Sequence, residues 1–233
     1  LQENIEFAVA SIVSPSGMTL AGKHQTGVLS LGATVPAGMR ALPNQWEFAE
    51  ESAKLHGNTV DRKDWRIVLN WHIAETRKKA REQSKHGLFR HNNEYSVGTL
   101  KAGEGTIYKT PDEAVNGVSD SKERTAVIGT PDDLIEKINE MIQLTGGFGC
   151  VIGFVHDWAN RQDTLKSWDL VARYVIPEVN GLLNDYRESN KYTIENRETW
   201  LRAGEAVMNK IQTNEKSARV METEGYIGEK PVN

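Results

Sequence analysis

The chain has a single cysteine, Cys150, in 233 residues. One thiol excludes an internal disulfide and suits a reducing compartment, so a cytoplasmic protein is expected. Cys150 lies in an apolar run and reads as a small core residue. Positive charge is not in excess: 28 Lys and Arg against 32 Asp and Glu give a formal net charge of −4. That balance removes the electrostatic case for a nucleic-acid partner. No apolar run approaches the roughly 20 residues that span a bilayer, so no membrane partner is expected. Leu1–Asn4 lack the basic and apolar regions of a secretion signal. His86 and His91 are too isolated to form a metal-ligand pattern, so no metal is expected. No internal repeat of about 20 to 50 residues is visible.

What is present is an alternation of short apolar runs and helical patterns, the signature of a parallel α/β sheet. Phe7–Val13 is a continuous apolar run, as a strand buried on both faces would be. Ser14 is placed to cap a helix with Pro15 at its first position. That helix runs to Gln25, and Gly27 stops it. Val28–Gly32 is the next strand. Hydroxyls and free amides therefore meet at the carboxyl end of the first strand, where a helix start favours a phosphate; an ordinary helix cap is the other reading of Ser14.

Ala33–Pro43 reads as a loop, followed by a helix Gln45–His56 with an Asn44–Glu47 capping box. Asp64–Glu75 is a strand whose Trp65, Ile67, Leu69, Trp71 and Ile73 share one face. His72 near its end is a candidate base, though a lone histidine is more often a structural residue. Thr76 caps a polar helix, Arg77–His86. Gly87–Arg124 shows no clear element, which marks a functional loop or an insert. Within this region and just before it, His86, Arg90, His91 and Tyr95 are candidates to face a ligand. Thr130 caps a helix opening Pro131-Asp132-Asp133. Phe148–Val155 is a last apolar strand, ending in His156-Asp157-Trp158-Ala159, and an α/β sheet places its chemistry at such carboxyl ends. Asp157 as the cap of the following helix, Thr164–Ile176, is the competing structural reading. Four strands are expected in all.

The run Ala10-Ser11-Ile12-Val13-Ser14-Pro15-Ser16-Gly17-Met18-Thr19-Leu20-Ala21-Gly22-Lys23-His24, with Gly27–Gly32 and the later His-Asp-Trp-Ala, resembles the bacterial luciferase-like flavin monooxygenases. Its limonene and alkanal monooxygenase branch is the nearest match. The resemblance covers Glu6 to about Gly181. It implies the C-terminal part of a (β/α)8 TIM barrel, with parallel strands and flanking helices, over residues 1–190. Within that portion, 86–124 would be a long loop or lid. Residues 191–233 would be a polar helical extension, with an amphipathic stripe at Trp200, Leu201, Ala206, Val207 and Ile211 and a solvated tail from Ser217 to Asn233.

The implied activity is FMN-dependent monooxygenation: reduced FMN, supplied by a separate flavin reductase, and O2 oxidise a small apolar organic substrate. Val13, Ser14, Ser16 and Gly17 would bind the cofactor phosphate, and His156 and Trp158 would line the substrate pocket. The family's catalytic histidine belongs to strands without a counterpart here, so the catalytic residue is unknown. A flavin-binding remnant without turnover and a deazaflavin-dependent oxidoreductase are the alternatives. A half barrel leaves strand edges open, so the chain is expected to work as a homo-oligomer or with a complementing N-terminal chain.

Overall fold

A computed structural model describes residues 5–100 and 106–223. The chain divides into two compact units, 1–181 and 182–233. The first is built on a five-stranded parallel sheet: β1 (Ala8–Ser11), β2 (Gly27–Ser30), β3 (Trp65–Ile73), β4 (Ala126–Gly129) and β5 (Cys150–Phe154). All strand pairs are parallel. Sheet and helices together are the α/β layering expected of a luciferase-like barrel portion.

β3 is the axis of this sheet. β2 pairs with it along Trp65–Ile67, and β4 pairs with it along Asn70–Ile73. β5 takes the other edge along Arg66–Asn70. Parallel sheets covered by helices bury both faces of their strands, and the sequence of β3 permits this. Trp65, Ile67, Leu69, Trp71 and Ile73 are all buried against the helices. Trp65 stacks on Trp46 at 5.2 Å, with the Arg62 guanidinium over both rings, and Trp71 meets Trp168 at 4.9 Å.

The helices of this unit are α1 (Ser16–His24), α2 (Pro36–Leu55), α3 (Arg77–Arg90), α4 (Pro111–Val115), α5 (Pro131–Thr145), α6 (Arg161–Leu170) and α7 (Ile176–Val179). Thr76 caps α3 through the Lys79 amide, and Thr130 with Asp133 forms a full capping box on α5. Both ends follow from the local sequence.

Several expectations are corrected. β1 spans only four residues and is not buried on both faces, with Ala8 and Ala10 exposed; it pairs with β2 alone. α1 ends with Gln25 in the left-handed region at φ 54°, and Gly27 instead opens β2. Ala33–Pro43 is not a loop: α2 starts at Pro36 and carries Pro43 and Asn44 in its interior. Burial of Met39, Leu42 and Trp46 along one stripe outweighs the lost proline amide. Ala126–Gly129 is a fifth strand, too short to show a period. Cys150 is exposed, since it opens β5 on a strand paired only with β3.

The region 87–124 is largely helical where it is described. α3 runs four residues past His86 and continues as a wide π-helical turn over His91–Thr99, and a second such turn follows α4 over Asn116–Asp120. Gly103 and Gly105 lie outside the described residues. α6 begins at Arg161 under an Asn160 cap, not an Asp157 cap, and Pro177 sits in the first turn of α7.

The second unit consists of α8 (Asn184–Glu195), α9 (Arg197–Gln212) and α10 (Glu215–Thr223). The apolar stripe from Trp200 to Ile211 falls on α9. Residues 217–223, read as solvated tail, belong to α10, and 224–233 lie outside the described residues. Among the described residues no helix is long and apolar enough to cross a membrane.

Close helix packing yields a test. A Cβ at Gly22 would collide with the Ala49 carbonyl oxygen and the Ala53 amide of α2. Gly22→Ala is expected to lower stability by about 1–3 kcal/mol in chemical denaturation, despite the better helix propensity of alanine.

Candidate functional site

The turn from β1 into α1 is shaped from behind. Gln45 of α2 is 1% exposed. Its Nε2 donates to the carbonyls of Ile12 (3.2 Å) and Val13 (3.1 Å), and its Oε1 accepts the Ser11 hydroxyl at 3.2 Å. The turn's carbonyls are thereby drawn inward. Ser14 and Ser16 face outward and are exposed. Pro15 already has helical angles, and the Ser14 hydroxyl accepts the Ser16 amide at 3.1 Å and donates to the Ser16 hydroxyl at 2.7 Å.

The α1 ladder opens with the Thr19 amide donating to the Pro15 carbonyl at 2.8 Å, so the amides of Gly17 and Met18 precede it. Gly17 has no room for a side chain, since a Cβ there would press on the Ala10 carbonyl and Ser11. The four residues Val13, Ser14, Ser16 and Gly17 therefore form one outward-facing turn of hydroxyls and amides at a nine-residue helix start. The Ser14 hydroxyl and the Ser16 amide are spent within the turn, and the Ser16 hydroxyl and the Gly17 and Met18 amides are the donors that fit a phosphate dianion.

A second cluster lies at the carboxyl end of β5. His156 stacks on Trp158, with ring centroids 4.4 Å apart and planes 4° from parallel. His91 meets the edge of His156 at 4.8 Å, Tyr95 meets His91 at 5.4 Å, and Phe154 meets His156 at 5.5 Å. His156 Nε2 is 3.0 Å from Asn70 Oδ1 on β3. Burial, and then the neighbouring His91, push His156 down to about 4. Burial also lowers His91, against the pull of Asp157.

α3 follows β3 and packs Ala80 and Leu88 with Ala126 and Ile128 of β4. Arg77 pairs with Asp133 at the start of α5, and Gln83 donates to Asp163 at the start of α6 (2.7 Å). Gly87 packs on the Trp158 backbone, and Arg90 reaches Asp157 at 3.5 Å. This path carries His91 over His156.

His156 and Trp158 are thus together, and Arg90, His91 and Tyr95 join them; His86 is exposed and does not. His72 is buried and its Nε2 faces Gln83 Oε1 at 3.1 Å, which gives it a structural role in holding α3. Gln45 and Asn70 escaped the sequence reading. For each the signal was a polar residue among apolar ones: Gln45 in line with Leu42 and Ala49, Asn70 between Leu69 and Trp71. Among the described residues no three His, Cys, Asp or Glu side chains converge as metal ligands.

Two outcomes are expected. Gln45→Leu leaves one buried hydroxyl and two carbonyls without their partner and should cost about 1–3 kcal/mol in a denaturant melt. His156 holds its proton less tightly folded than unfolded, so the unfolded state binds more protons between the two midpoints. Stability should fall as pH drops from about 6.5 towards about 4, with His91 and His72 adding the same sign. In His156→Phe that slope should be shallower.

The family model that matches this chain is described as luciferase-like monooxygenase and covers residues 7–147. The chain is similar to limonene 1,2-monooxygenase of Rhodococcus erythropolis, 34% identical over 94% of this chain and 56% of that protein. It is similar to 4-hydroxyprotoasukamycin monooxygenase of Streptomyces nodosus subsp. asukaensis, 35% identical over 82% of this chain and 51% of that protein. Among solved structures it resembles the oxygenating constituent of 3,6-diketocamphane monooxygenase of Pseudomonas putida, a type II Baeyer–Villiger monooxygenase in complex with FMN. There the TM-score is 0.55 at 24% identity, over 74% of this chain and 48% of that one. The chain spans about half the length of the curated relatives it matches.

Proposed function

This chain belongs to the luciferase-like monooxygenase family, and from that premise we propose that it serves an FMN-dependent monooxygenation of a small apolar organic substrate. Val13, Ser14, Ser16 and Gly17 hold the cofactor's phosphate, and the observation that carries this assignment is the outward-facing turn braced by Gln45. When bound, reduced FMN supplies the electrons that activate O2; a separate flavin reductase delivers it. His156 and Trp158 line the substrate end. The segment 86–124 acts as a lid, a role supported by the bonds that tie α3 to Asp163 and to Asp157 beside His156 and Trp158. The relatives' names as monooxygenases favour this reading over hydride transfer to a deazaflavin.

The barrel portion is taken as residues 1–190 and the polar extension as 191–233. A second copy of the chain, or a chain bringing further strands, completes the enzyme. The open edge of β1 and the exposed Phe7 and Phe154 support such a partner.

FMN titration followed by flavin fluorescence checks the proposal. Saturable binding is expected, and the double change Ser14→Ala with Ser16→Ala should weaken it at least tenfold, since hydrogen bonds to a charged group are about 1.5–3 kcal/mol each. No saturable uptake, or identical affinity in the double variant with an unchanged melt, would remove the phosphate assignment.

A further inference from the structure

The hydrogen bonds around Asn70 determine more than the position of His156. Asn70 Nδ2 donates to the Thr125 carbonyl at 3.5 Å, so its Oδ1 is the atom turned to His156. An amide oxygen only accepts. His156 Nε2 must therefore carry the hydrogen, and in the neutral ring Nδ1 is then a bare lone pair. The neutral ring is the relevant form near neutral pH, because burial and His91 both oppose its charging.

Among the described residues nothing donates to Nδ1. The rings that the His156 ring touches are Phe154, Trp158 and His91, with Tyr95 against His91. An acceptor among apolar rings rewards a ligand that brings one donor on an otherwise apolar body, and a pure hydrocarbon leaves it unpaired.

We propose that Asn70 is a specificity-determining positioning residue: it locks His156 with Nδ1 as acceptor, and the site thereby prefers an apolar molecule bearing a hydroxyl over the same molecule without one. The inference rests on the reading of this cluster as the substrate end of the site. It uses no flavin, so its failure and the failure of the cofactor assignment are separate results.

The test uses the full chain and two probes that differ by one hydroxyl, phenol and toluene. Long-range 1H–15N correlations at about pH 8, well above the ordinary imidazole range, report the tautomer of His156; His156→Phe assigns the signals. The wild type should show Nε2–H. Asn70→Asp keeps the acceptor and should keep that tautomer, whereas Asn70→Leu should lose it.

NMR titration gives the ratio of toluene to phenol dissociation constants. That ratio should fall about three- to tenfold in His156→Phe and in Asn70→Leu, the range for one neutral hydrogen bond. An Nδ1–H tautomer in the wild type overturns the proposal. So does an unchanged ratio in His156→Phe. Should Asn70→Leu fail to fold, the wild-type tautomer and the His156→Phe ratio decide the matter by themselves.

Discussion

The first unit depends on the double burial of β3. Three of the four other strands among the described residues pair with it. Its apolar face is anchored by stacked tryptophans, Trp65 on Trp46 and Trp71 on Trp168. Aromatic pairs of this kind bury large areas and prefer one geometry, so the register of β3 against α2 and α6 is strongly specified. A one-residue slip would turn five buried side chains to the other face. It would also turn Asn70 and His72 away from His156 and Gln83.

The two faces of β3 thus divide the labour. Odd positions hold the helices. Even positions near the carboxyl end carry Asn70 and His72, which reach the polar layer above the sheet. There α3 is tied down by Arg77 on Asp133, Gln83 on Asp163 and Arg90 on Asp157. The exposed ion pairs among these are individually weak. Their spacing along one helix is what orients it, and the π-helical turn that follows presents His91 and Tyr95 on one side. Turns of this width recur at functional sites, because they re-aim side chains that a regular helix would point elsewhere.

Much of the architecture was legible. The period-two pattern of Trp65–Ile73, the Thr76 and Thr130 caps and the carboxyl-end position of His156 all follow from local rules. The misreadings have physical causes. Pro43 suggested a break, yet a single missing amide is outweighed by the apolar stripe from Met39 to Ala53. Ala126–Gly129 is too short for a period to show, and it is a strand only because β3 offers it an edge. Gly98, Pro111 and Gly117 punctuate Gly87–Arg124 and hid its elements, although the chain is helical around them. Cys150 looked buried because its neighbours are apolar, but an edge strand leaves one face open.

By itself the sequence determined the α/β class, the parallel strands, the helix starts and the outward-facing serines after β1. Each of these depends on neighbours within a few residues, where propensity, capping and periodicity act. Only the tertiary structure decided that Gln45 braces that turn, that α3 is tied to the starts of α5 and α6, and that His156 meets both Asn70 and His91. Those contacts join residues 32 to 86 positions apart in the chain. Their energy comes from packing and desolvation, which no short window of sequence contains.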